Sequence, residues 1–140
     1  MANYYATARS NYFAVKNEKA FREWADGLGL TILEQQEINS DGIPRFGISP
    51  GDDGDSGGWP TSTSDAETGD CEDIDVADQL AAHLADDEVA VLLEAGSEKL
   101  RYVTGTAVAV NHKGEHVILT IESIYESARA LGTNITRAEY

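Results

Sequence analysis

The chain has 140 residues, 41% of them hydrophobic, with 25 acids against 10 bases and a formal charge of −15. That length suits one domain able to bury a core without metal or disulfide. The charge excludes ordinary nucleic-acid and anionic-membrane binding, because such a surface repels phosphate and attracts basic protein faces.

Excess acid is concentrated in one region. Residues 34–94 hold seventeen acids and a single cation, Arg45. No apolar run reaches the roughly 20 residues a membrane helix requires. The opening Met1-Ala2-Asn3-Tyr4-Tyr5 has neither a basic nor an apolar signal region, so a cytoplasmic protein is expected. Asn134-Ile135-Thr136 is a glycosylation sequon only for an exported chain, and Cys71, the single cysteine, makes neither an internal disulfide nor a zinc site.

In chain order, the aromatic and β-branched stretch Tyr4 to Val15 predicts a strand. Asn17 caps a helix with Ala20, Phe21, Trp24, Ala25 and Leu28 at helical spacing, and Gly27 and Gly29 stop it. Leu30 to Gln36 reads as a second strand, Asn39-Ser40-Asp41-Gly42 as a turn, and Ile43 to Ile48 as a third strand, at an edge because of Pro44. Residues 49–72, rich in Gly, Asp and Ser, predict a mobile acidic loop with Trp59-Pro60 as its anchor. A second helix begins at Asp75, burying Val76, Ala77, Leu80, Ala81 and Leu84. Its other face carries Asp75, Asp78, Gln79, Ala82 and Asp86. Val89 to Leu93 is a strand, Ala95-Gly96-Ser97 a turn and Leu100 to Val110 a long strand. Asn111-His112-Lys113-Gly114 turns into Glu115–Thr120. A last helix stripes Ile121, Ile124, Tyr125, Ala128 and Leu131 and stops at Gly132. The expectation is one α+β domain over 1–140, with about six mostly antiparallel strands and three helices packed on them, ordered β-α-β-β-loop-α-β-β-β-α.

Chemical motifs are few. Gly47-Ile48-Ser49-Pro50-Gly51 has the spacing of a nucleophile elbow, yet no helix follows. Asp53-Gly54-Asp55 opens like a calcium loop, but the fifth and twelfth places hold Gly57 and Ser64. His83, His112 and His116 lack metal spacing, and Gly27-Leu28-Gly29 lacks the third glycine of a dinucleotide fingerprint. Tyr4, Tyr5, Tyr12 and Arg9 would stack bases only with cations around them, so packing explains them better. No catalytic residue, cofactor or metal is expected.

The acids remain to be explained. Seventeen charges at duplex spacing correspond to about 29 Å of DNA. Glu72, Asp73, Asp75, Asp78, Asp86, Asp87 and Glu88 are the candidate partner-binding face. The stretches Ala8-Arg9-Ser10-Asn11-Tyr12-Phe13-Ala14-Val15-Lys16 and Glu94-Ala95-Gly96-Ser97-Glu98-Lys99-Leu100-Arg101-Tyr102, with Phe21 and Trp24 between them, resemble small acidic accessory proteins of phages and plasmids. That resemblance implies a DNA mimic that blocks a restriction or CRISPR complex, and it assigns no site residues. Two other readings stand beside it: acidity serving only solubility or high-salt adaptation, suggested by just four lysines, and a small hydrolase.

Overall fold

The computed structural model describes residues 4–35, 40–50, 57–64, 67–98 and 102–138. Its strands are β1 (Tyr4–Ser10), β2 (Thr31–Glu34), β3 (Phe46–Ser49), β4 (Ser62–Ser64), β5 (Cys71–Asp73), β6 (Val89–Glu98), β7 (Tyr102–Asn111) and β8 (His116–Thr120). The α-helices are α1 (Glu18–Gly27), α2 (Val76–Ala81) and α3 (Ile124–Ala128), the last preceded by a 3-10 turn over Ile121–Ser123. The fold is α+β, with a four-stranded antiparallel sheet ordered β1-β6-β7-β8 and two-stranded ribbons β2-β3 and β4-β5.

Strand alternation gives the main sheet two faces. Ala8, Ser10, Ala90, Leu92 and Val110 are buried on the inner face, where α1, α2 and the β2-β3 ribbon close the core. Phe21 of α1 sits at its centre, edge-on to Phe13 at 5.8 Å and 6.0 Å from Phe46. Helix α1 forms as its local sequence dictates. Asn17 Oδ1 accepts the Ala20 amide at 3.0 Å, Phe21 and Ala25 face inward, and Gly29 at φ +72° lets the chain leave. The Ser10 hydroxyl donates to the Asn11 carbonyl at 2.7 Å and accepts the Ile48 amide at 2.8 Å, tying the sheet to the ribbon.

Several boundaries differ from the sequence expectations, each for a non-local reason. The first strand ends at Ser10, because beyond it Phe13 bridges Phe46 and Val15 bridges Leu84. Ala95-Gly96-Ser97 is not a turn. Strand β6 runs through it, with Gly96 opposite both Ala6 and Thr104, and a Cβ on Gly96 would lie 2.7 Å from Ala6 Cα. The tight approach of β1 requires glycine there. The second helix stops at Ala81, since the Lys16 amide binds the His83 carbonyl, the Ala85 amide binds the Ala14 carbonyl, and Leu84 pairs with Val15. Strand-like pairing at 83–85 is incompatible with continued helix.

Two strands more than expected arise within and beside the acidic loop. Ser62, Thr63 and Ser64 pair with Asp73, Glu72 and Cys71. Trp59 packs against the core, its amide bound to Glu94 Oε1 at 2.7 Å and its indole N–H to the Leu93 carbonyl at 3.3 Å. Asp53 and Asp55 of the calcium-like motif lie outside the described residues. The third helix is also shorter than its apolar stripe, and none of its residues is buried. It is not packed on the sheet.

Candidate functional site

Four of the candidate acids meet where β5 enters α2. Glu72 and Asp73 are exposed on the short β4-β5 ribbon. Asp75 is the N-cap of α2, its Oδ1 accepting the Asp78 amide at 3.2 Å, and both side chains sit beside the positive end of the helix. Local chemistry places these carboxylates: a cap residue must turn its oxygen onto the first amides, and a two-stranded ribbon open on both faces leaves the neighbours Glu72 and Asp73 in water.

The remaining three lie at the other end of α2. Asp86 and Asp87 are exposed in the turn into β6, where Asp87 adopts φ +66°, a conformation aspartate tolerates better than most residues. Asp86 is therefore not on the helix face that its spacing suggested. It stands 3.9 Å from His112 Nε2 instead. Glu88 points toward the body of the protein. Its Oε1 accepts the Ala14 amide at 2.7 Å and Arg45 Nε at 3.0 Å, and Arg45 also holds Asp41 at 2.8 Å. The Arg45 guanidinium holds both carboxyls below their usual range, and its own pKa is raised by them.

Residues 67–98 contain eleven acids and neither lysine nor arginine. Among the described residues, no lysine or arginine pairs with Glu72, Asp73, Asp75, Asp78 or Asp87. No group of three His, Cys, Asp or Glu side chains among the described residues is arranged to hold a metal ion, and no helix there is long and apolar enough to cross a membrane. His83, expected on the surface, is half-buried with its ring 5.1 Å from Trp24, and burial pushes its pKa down, helped by Lys16.

Sequence reasoning missed a second surface altogether. The outer face of the main sheet presents Tyr5, Thr7 and Arg9 from β1, Leu93 and Ala95 from β6, Val103, Gly105 and Ala107 from β7, and Val117 and Leu119 from β8. Its large side chains are exposed: Leu93, Val103, Val117 and Leu119 all reach solvent. Small residues in the middle leave an apolar groove of 450 Å³ between Thr7 and Ile121. Ile121 reaches over Gly105, where a Cβ would meet its Cγ2 at 2.9 Å. The signal was present in Val103-Thr104-Gly105-Thr106-Ala107-Val108-Ala109-Val110, whose two alternating sets are both largely apolar.

No family model matches the chain, and no curated protein or solved structure matches it.

Proposed function

We propose that the protein is a non-enzymatic binding protein that offers an acidic surface to a basic, nucleic-acid-binding protein partner in the cytoplasm, as a DNA mimic directed at a defence complex would. The observation that carries this reading is the run of exposed carboxylates at both ends of α2, Glu72, Asp73, Asp75 and Asp78 at one and Asp86 and Asp87 at the other, in a stretch without a lysine or arginine. Helix α2 is about 9 Å long and only the turn over 82–85 separates it from Asp86 and Asp87, so both groups belong to one short stretch of chain offered to the partner. Glu88 belongs to the Arg45 ion pair and drops out of the face we propose.

Complementary charge acts mainly on association rate and partner choice. The deciding experiment captures the partner from lysate at low salt, then asks whether duplex DNA displaces it. It repeats the capture with Asp75→Asn, Asp78→Asn and Asp86→Asn combined. Asparagine caps a helix as well as aspartate does, so the fold is kept. Displacement by DNA and weaker, less salt-dependent capture by the variant support the reading. Equal capture by the variant with no competition from DNA refutes it.

A further inference from the structure

The acidic surface leaves the apolar outer face without a role, and the chain itself carries a matching apolar element. After Ile121 the chain forms a hook over 122–138. Arg137 stacks on the Tyr125 ring at 4.5 Å and pairs with Glu122, and the Ala138 amide binds the Tyr125 hydroxyl at 2.6 Å. These contacts fold the hook on itself and leave its aliphatic side chains outward. Leu131 is 91% exposed and Ile124 62%.

We propose that the outer sheet face is a homodimer interface, in which the hook of a second copy lays Ile124 and Leu131 into the groove bounded by Leu93, Ala95, Ala107 and Leu119. The exchange is reciprocal about a two-fold axis, each copy giving one hook and receiving one.

Charge selects a second copy as the occupant. Residues 116–138 hold two acids, Glu122 and Glu126, against two cations, Arg129 and Arg137, and Arg9 is the one formal charge among the outward residues of β1, β6 and β7 named above. A chain of net charge −15 meets its own copy with least repulsion through this neutral region, because α2, with the acids at its ends, packs on the opposite face of the sheet.

Strand β8 needs cover most: its outward Val117 and Leu119 are 71 and 60% exposed at the open edge of the sheet.

This inference is independent of the acidic-face reading, and its test touches no acid of that face. Sedimentation equilibrium from micromolar to a few hundred micromolar reads the mass of wild type, Leu131→Asp and Leu93→Asp. Because Leu131 is almost fully exposed and Leu93 half exposed, circular dichroism of the variants should match wild type. Two chains in a Cys71→Ser background, one with Ala95→Cys and the other with Leu131→Cys, are then mixed and oxidised. The expected result is a wild-type dimer, monomeric variants and a disulfide formed between the two different chains. A wild type that stays monomeric throughout overturns the proposal, whatever else binds the groove. So does a dimer that survives both substitutions, or one that gives no mixed disulfide.

Discussion

Arg45 Nε donates to Glu88 Oε1 at 3.0 Å in a site where the two side chains are only 13 and 19% exposed. The pair joins the β2–β3 connection to the start of β6, and the Ala14 amide on the same oxygen brings in the segment before α1. Glu88 and Asp41 are held below the usual carboxylate range, chiefly by hydrogen bonds from Arg45. The unfolded chain therefore binds more protons than the folded one in the acid range. The pair's contribution is complete above the unfolded values of about 4.3 for Glu and 3.9 for Asp. It is lost as pH falls through the lower folded values. Urea midpoints measured from pH 7 to pH 3 should decline less steeply in Arg45→Met than in wild type. An unchanged acid limb would show that the pair carries no linkage. At neutral pH the same substitution should lower the urea midpoint, because it leaves the half-buried Glu88 carboxylate without its cation.

His83 predicts a second, separate pH window. Its ring packs on Trp24 and lies 6.3 Å from Phe21, and its pKa is lowered by burial and then by Lys16. Folding favours the neutral ring. Its stabilisation is complete above the unfolded value of about 6.5 and is lost as pH falls toward the lower folded value. NMR titration of the His83 ring protons should give a midpoint below those of exposed histidines, and His83→Phe should remove the stability change in this window.

Two of the crowded glycines, Gly96 and Gly105, should respond differently to alanine. At Gly96 the new methyl meets the backbone of Ala6, which cannot move without breaking β1 from β6. A cost of about 1–3 kcal/mol is expected from overpacking, read as a shifted melting temperature. At Gly105 the obstacle is the Cγ2 methyl of Ile121, a 46% exposed side chain that yields more easily than backbone. Gly105→Ala should melt close to wild type. Equal losses at both positions would contradict this distinction.

Salt separates the binding reading from high-salt adaptation. Were the acids an adaptation, a chain of −15 would lose its fold on dilution, as screening lengthens to about 30 Å at 0.01 M. On the reading proposed here the core centred on Phe21 suffices, and a cooperative melt should persist at low ionic strength with only a modest shift in molar potassium chloride. Loss of the transition at low salt would favour adaptation. Phe21→Ala should cost about 3–5 kcal/mol under either condition, as expected for a buried aromatic.

Helix α1 was legible in the sequence because everything that makes it is local: the Asn17 cap, the spacing of Phe21 and Ala25, and the glycine exit. The α+β class followed similarly from alternating and helical periods. What escaped was set by distant partners. Gly96 looks like a turn residue until Ala6 is placed against it, and α2 looks longer until Val15 claims Leu84. For the acidic face, composition identified the residues, but the Ala14 amide and Arg45 withdrew Glu88, and neither is its neighbour in sequence. The apolar outer face escaped although residues 103–110 carry its pattern, because a strand with two apolar faces reads the same whether it is covered or bare.

The register of β1 has a consequence for how the chain is made. Tyr4 pairs with Glu98 and Ser10 with Leu92, so β1 leaves the ribosome well ahead of its partner strand. Helix α1 and the β2-β3 ribbon can form early, but β1 must wait through the synthesis of roughly eighty further residues at roughly 5–20 per second. Closing so long a loop also puts this sheet among topologies that fold slowly. Until β6 emerges, the Phe13 segment just after β1 can settle through its bridge to Phe46. The ribbon thus holds β1 close by for a sheet that does not yet exist.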